Sequence, residues 1–138
     1  MTDEDVPSID KVSARAVADA LSASSRRAEE MVREHVEDYD EVLSTVLLDL
    51  VGEWFRTAVH AGTPDAKDAL SAAAALADLY SRGDDGVETV IATGFLEAMP
   101  HPSEPGREVI DRLPALLREQ LRRMEEWRPP GSEPEGRR

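Results

Sequence analysis

Residues 41–61, "EVLSTVLLDLVGEWFRTAVHA", carry the clearest periodicity in the chain. Apolar side chains recur there at spacings of three and four, which is typical of a helix with one buried face. The predicted apolar stripe comprises Leu43, Val46, Leu47, Leu50, Val51, Trp54, Phe55 and Ala58, and the predicted polar stripe comprises Thr45, Asp49, Gly52, Glu53, Arg56 and His60. The stretch therefore predicts an amphipathic helix that packs against other helices.

Helical patterns extend outward from this stretch in both directions. The predicted helices span about 12–22, 25–37, 41–61, 64–81, 86–99 and 107–128. Asp40 is suited to cap the helix that follows it, and Pro114 predicts either a kink or a helix start, because proline has no backbone N–H. No run of alternating β-branched residues indicates a strand. We therefore predict an all-α fold, a single compact bundle of five to six helices with the 86–99 helix at its centre.

The composition bounds the domain organisation. With 138 residues, 41% of them hydrophobic, the chain is long enough for one domain with a buried core. Residues 1–10 are acidic and residues 129–138 are rich in proline and glycine. We expect a flexible acidic tail, a helical domain over 11–128 and a disordered C-terminal tail. The sequence shows neither a long apolar run nor a basic-then-apolar leader, which predicts a cytoplasmic protein that does not span a membrane.

Charge and residue usage argue against several function classes. A net charge of −13 disfavours nucleic-acid binding, and the lack of cysteine excludes disulfides and thiolate chemistry. His35, His60 and His101 lie in separate segments without ligand spacing, and no phosphate-binding loop or nucleophile elbow occurs. We therefore predict no enzyme, no cofactor and no metal. His35 lies on an apolar stripe, and we expect it to be partly buried and hydrogen-bonded.

Acidic residues concentrate between residues 29 and 53. This stretch contains nine acidic residues and a single basic residue, Arg33. The candidate partner-binding residues are Glu34, Glu37, Asp38, Asp40, Glu41, Asp49 and Glu53. One interpretation is a solvated face that keeps the protein soluble, and the other is a surface that binds a basic protein partner.

The stretch 83–100, "GDDGVETVIATGFLEAMP", predicts a helix with apolar groups on more than one side. Gly94 lies on its main apolar face, where a glycine permits close approach of another helix. Helical spacing places Glu97 at the edge of that face and Leu96 opposite it. We interpret Glu97 and Asp78 as structural polar residues; a role for Glu97 beside a partner-binding groove, or metal ligation by both carboxylates, stays open as an alternative.

The order of segments resembles a known group of proteins. The segments are "EEMVREHVEDYDEVLSTVLLDLVGEWFR" (29–56), "ALADLYSRGDDGVETVIATGFLEAM" (75–99) and "LPALLREQLRR" (113–123). They resemble an uncharacterised family of small bacterial all-helical proteins that is similar to immunity proteins of polymorphic toxin systems. The turn at Gly83-Asp84 leading to Phe95-Leu96-Glu97 is the most specific part, whereas Asp78 and Thr89 replace the glutamate and asparagine of the family pattern.

The resemblance implies a protein-binding, toxin-neutralising role, with no catalytic residues to transfer. Our first hypothesis is an immunity or antitoxin-like protein that neutralises a basic toxin domain through its acidic helices. The alternative is a regulatory or scaffold module that acts by self-association, as a homo-oligomer, or within a larger complex.

Overall fold

The computed structural model describes the backbone of residues 7–126 and the side chains of residues 11–126. Six α-helices lie in this range: α1 (Pro7–Ser24), α2 (Arg26–Tyr39), α3 (Ser44–Ala61), α4 (Ala66–Tyr80), α5 (Asp85–Val90) and α6 (Ala115–Glu126). A π-helical turn (Ile91–Phe95) and a 3-10 turn (Leu96–Ala98) continue α5, and a second 3-10 segment (Arg107–Arg112) precedes α6. Residues 7–126 contain no strand, so the predicted all-α class is confirmed.

The structure differs from the prediction at two helix ends and decides between the two alternatives left open at Pro114. α1 begins at Pro7, so residues 7–10 of the predicted tail are helical. Residues 1–6 and the predicted tail 129–138 lie outside the described residues. Asp40 does not cap α3; it ends α2 in the left-handed conformation (φ 64°), and α3 starts four residues later. Pro114 immediately precedes α6, so the proline marks a helix start and not a kink.

Helix α3 is the central element of the bundle. It contacts α1, α2, α4, α5, the π turn and both 3-10 segments. The predicted central segment, 86–99, instead packs along one side of α3 and also contacts α1 and α4. Because the connections are short, α4 runs back beside α3. The segment formed by α5, the π turn and the first 3-10 turn (85–98), hereafter the α5 segment, then runs in the same direction as α3.

The buried face of α3 is rotated from the predicted one. Leu48 and Gly52 are buried, whereas Val46 and Leu50 are 38% and 45% exposed. The eight predicted apolar positions cover roughly 180° of the helix, more than the roughly 100° that one packed face requires. The buried residues of α3 are Leu47, Leu48, Val51, Gly52, Phe55 and Ala58.

Two glycines set the distance between α3 and the α5 segment. A Cβ on Gly94 would lie 2.7 Å from the Cβ of Leu48, and a Cβ on Gly52 would lie 2.7 Å from the Cβ of Ala98. Each glycine thus meets the opposite element, because no side chain separates the backbones there. This confirms the predicted packing role of Gly94 and adds Gly52, which the sequence pattern had placed on the polar stripe.

The π turn changes the register of the α5 segment. The Leu96 N–H donates to the carbonyl of Ile91, five residues earlier, as well as to that of Ala92. In a regular α-helix Leu96 would lie roughly 140° around the axis from Ile91. The wider turn brings both side chains into the core, at 1% and 0% exposure. The prediction placed Leu96 opposite the main apolar face of the helix; the structure instead places it on the same buried side as Ile91.

Candidate functional site

The predicted acidic surface is exposed at every one of its seven positions. Three of the acids lie on α2, two in the α2–α3 turn and two on α3; they are Glu34, Glu37, Asp38, Asp40, Glu41, Asp49 and Glu53. Of these seven acids, only Glu34 forms a salt bridge with a side chain that the structure describes, that of Arg27 at 3.9 Å. The other six carboxylates face solvent without a cation, so the negative charge of this surface is not neutralised within the bundle.

A buried histidine fixes the turn that carries two of these acids. The ring Nε2 of His35 accepts a hydrogen bond from the Leu43 N–H at 2.9 Å, and Asp40 N–H donates to the Val36 carbonyl at 2.7 Å. The ring of Tyr39 lies 4.8 Å from that of His35. These contacts hold the end of α2 against the start of α3, and they give Asp40 and Glu41 a defined position.

The hydrogen bond determines the protonation state of His35. Because Nε2 accepts from an amide, it carries no proton, and the neutral ring must carry its proton on Nδ1. Nδ1 is buried and has no hydrogen-bond partner within residues 7–126. Burial lowers the pKa of His35 below its usual value, and the nearby charge of Asp38 opposes that shift. His35 is 3% exposed, so its predicted burial and hydrogen bonding are confirmed.

Exposed apolar side chains accompany the acidic surface. Tyr39 is 47% exposed, and Val46 and Leu50 project from α3 as described above. Leu43 and Trp54, on the same side of α3, are half-buried. The prediction assigned the α3 residues to the core; the excessive width of the apolar stripe was the signal that some of them had to remain outside it.

A groove borders the acidic turn on its other side. It encloses about 530 Å³ between α1, α2 and the beginning of α3. Val32, Val36 and Val42 supply part of its apolar wall, and Glu41 lies at its edge. Residues of the α2–α3 turn, Glu41 and Val42, and the first residue of α3, Ser44, thus line this groove.

The two predicted structural carboxylates are both on the surface. Asp78 is exposed and accepts a hydrogen bond from Arg82, one helical turn later, at 2.9 Å. Glu97 is exposed and accepts no hydrogen bond from any described residue. The prediction that Glu97 lies half-buried beside the apolar face is wrong, because the π turn rotates Leu96 inward and Glu97 outward. Neither carboxylate supports the fold as a buried anchor.

A second polar cluster joins α3 to the C-terminal part of the bundle. Arg107 makes two hydrogen bonds to Glu125, at 2.6 and 3.0 Å, and a third to the Pro100 carbonyl at 2.9 Å. His60, in the last turn of α3, contacts the carboxylate of Glu108. The pKa of Glu108 is lowered mainly by a hydrogen bond from its own backbone N–H, and next by the hydrogen bond to His60. These pairs link separate elements, so we assign them to stability.

The described residues offer no arrangement for metal chemistry, since no group of three or more potential metal ligands occurs among them. In the same range, none of the helices has the length and apolar character needed to cross a membrane.

Comparison with known proteins gives a family and nothing finer. No curated protein and no solved structure shows significant similarity to the chain. A family model described as "Domain of unknown function (DUF7674)" matches residues 19–129. This match confirms the predicted membership of an uncharacterised family, and the chain belongs to the DUF7674 family.

Proposed function

We propose that this chain is a non-catalytic, cytoplasmic protein-binding module that neutralises a cognate toxin, in the manner of an immunity protein or antitoxin. The observation that carries the proposal is the set of six exposed acids without a salt bridge to any described residue, next to the exposed side chains of Tyr39, Val46 and Leu50. Charge alone would serve solubility; charge beside exposed apolar area is typical of a protein interface.

The same surface suggests the chemistry of the partner. Like-signed carboxylates raise the local negative potential, which attracts a basic surface and accelerates its encounter with this protein. A toxin that acts on nucleic acid needs a basic surface for its own substrate, and an acidic protein can cover that surface. The fixed α2–α3 turn holds Asp40 and Glu41 in place before binding, so less conformational entropy is lost when the complex forms.

The test uses the product of the adjacent gene, because immunity genes lie beside the genes of their toxins. We expect co-purification of the two proteins, weaker association at high salt, and rescue of cells that express the toxin. The quadruple variant with Glu37, Asp38, Glu41 and Glu53 changed to Lys should bind at least tenfold more weakly.

A charge-matched control separates this site from a general effect of net charge. In the control, four exposed acids outside the site are changed to Lys: Asp19, Asp78, Glu97 and Asp111. Both quadruple variants change the net charge equally, so only a specific site distinguishes them. Equal loss of binding in the two variants, or no complex with the wild-type protein, would refute the proposal.

Self-association within a scaffold is the second candidate, and the exposed apolar side chains of Val46, Leu50 and Leu116 are the observation in its favour. It predicts a stable homo-oligomer in sedimentation velocity and no protection of toxin-expressing cells. A monomer at micromolar concentration would remove this candidate.

A further inference from the structure

One side of α3 exposes a continuous apolar strip. The strip consists of Leu43, Val46, Leu50 and Trp54, hereafter the α3 strip. Val46 and Leu50 are 38% and 45% exposed, and the two flanking residues are half-buried. The spacings of three, four and four residues keep these side chains on one side of the helix. The strip is about 17 Å long at 1.5 Å per residue, which corresponds to three helical turns.

Two carboxylates border the α3 strip along one edge. Asp49 lies three residues after Val46, and Glu53 lies three residues after Leu50, so each acid is next to one of the exposed apolar side chains. Both acids are exposed, and neither forms a salt bridge with a described side chain. An apolar strip with a one-sided acidic edge is complementary to an amphipathic helix whose apolar side is flanked by Lys or Arg.

We propose that the α3 strip docks a basic amphipathic helix of a partner protein. Such a helix would place apolar residues at i, i+3 or i+4, and i+7 against the strip, and its cations would reach Asp49 and Glu53. The proposal rests on the protein-binding role proposed above and names the binding element of the partner. It does not depend on whether that partner is a toxin.

Charge argues against the other possible occupants. In a two-fold dimer with antiparallel α3 helices, Asp49 and Glu53 of one copy would approach those of the other, and in a parallel dimer the two acidic edges would lie on opposite sides without a basic partner from the strip. Like charges across an interface are unfavourable. An anionic membrane surface would likewise repel the two carboxylates. A basic helix is the occupant that satisfies both the apolar and the acidic part of the surface.

The experiment is a titration of the full ¹⁵N-labelled chain followed by amide NMR. The probe is a synthetic 18-residue amphipathic helical peptide of Leu and Lys; a peptide with Glu in place of Lys is the control. We expect the Lys peptide to shift amide signals over residues 43–57 and the Glu peptide to leave them unchanged. The double variant Val46→Ser with Leu50→Ser should raise the dissociation constant at least tenfold.

Two further variants make the result decisive. Leu116→Ser removes a similarly exposed apolar side chain (41%) on α6 and should change the dissociation constant less than twofold. If the double serine variant fails to fold, the double variant Asp49→Lys with Glu53→Lys provides the test. This variant should lose affinity for the Lys peptide and gain affinity for the Glu peptide. Circular dichroism checks that each variant is folded.

Three results would overturn the proposal. Shifts confined to the acids of α2 or to the groove between α1 and α2 would place the peptide elsewhere. Unchanged affinity in a folded double serine variant would mean that the peptide binds only through non-specific charge attraction. A wild-type dimer that the double serine variant abolishes would assign the strip to a second copy. Since no toxin enters the titration, the toxin hypothesis can fail while this inference holds, and the reverse is also possible.

Discussion

Replacing Gly94 by alanine tests the close contact between α3 and the α5 segment. The new Cβ would lie 2.7 Å from the Leu48 Cβ, 3.2 Å from the Thr45 carbonyl oxygen and 3.3 Å from the Thr45 Cα. These atoms belong to the α3 backbone or are bonded directly to it. No side-chain rotation can remove them, so the two elements have to move apart.

The expected magnitude follows from two opposing effects. Overpacking of a close-packed site costs about 1–3 kcal/mol, and alanine recovers up to about 1 kcal/mol of helix propensity relative to glycine. Because the contacted atoms are fixed to the backbone, we expect a net destabilisation of about 1–2 kcal/mol. For a domain of this size, that corresponds to a decrease in Tm of roughly 3–10 °C.

Urea unfolding followed by circular dichroism at 222 nm measures the effect, with Thr93→Ala as the control. Thr93 is the preceding residue, is exposed, and bonds only to the Thr89 carbonyl of its own helix, so its replacement should change the free energy of unfolding by less than about 0.5 kcal/mol. A Gly94→Ala protein as stable as the wild type, or more stable, would show that the backbones are not held in contact at this glycine.

Three other predictions concern polar contacts. The pKa of His35 in the folded state lies below its usual 6.5, so the unfolded chain binds the proton at a higher pH than the folded chain does. The free energy of unfolding should therefore fall as the pH drops below about 6.5, and the fall should end once the pH is below the folded-state pKa. Urea titrations at several pH values should show this fall in the wild type and in His101→Gln but not in His35→Gln; identical pH profiles in all three would contradict the assignment. Arg107→Gln removes the paired hydrogen bonds to Glu125; the side chains of both residues are 29% exposed. The change should lower the free energy of unfolding by about 1–2 kcal/mol and accelerate hydrogen exchange in α6, whereas Arg107→Lys should restore only part of the loss. Ser25→Ala removes the side-chain cap of α2 and should cost about 1 kcal/mol in thermal unfolding; an unchanged Tm would mean that the cap is redundant.

The sequence allowed the helices to be predicted because their periodicity and most of the signals at their ends are local properties. The interval between α3 and α4 illustrates this, since Gly62 adopts the left-handed conformation (φ 68°) that commonly ends a helix. Which side of α3 is buried is not determined by the local sequence. Its apolar residues cover half of the helix circumference, and only the neighbouring helices determine which part of that half is buried. Gly52 has no side chain to indicate that its backbone lies in the core.

The charge of the candidate site could be predicted from the sequence, whereas the arrangement of its side chains could not. The carboxylates of the acidic cluster remain exposed on the bundle, as with Asp49 and Glu53. The exposure of Val46 and Leu50 depends on the rotation of α3, and the partner of His35 lies eight residues away, across a turn whose conformation the pattern did not specify. The π turn was invisible because the helical wheel assumes one angular step throughout.

That π turn is equivalent to a single-residue insertion in an otherwise α-helical segment. Removing one exposed residue from it, such as Thr93, would let the chain return to the ordinary repeat while the total number of turns stays the same. The residues after the deletion would then keep their orientations, with Leu96 in the core and Glu97 on the surface. In this family, chains one residue shorter between the Gly83 turn and Met99 should therefore have an α-helical turn in place of the π turn and keep the order of the apolar and acidic positions that follow it.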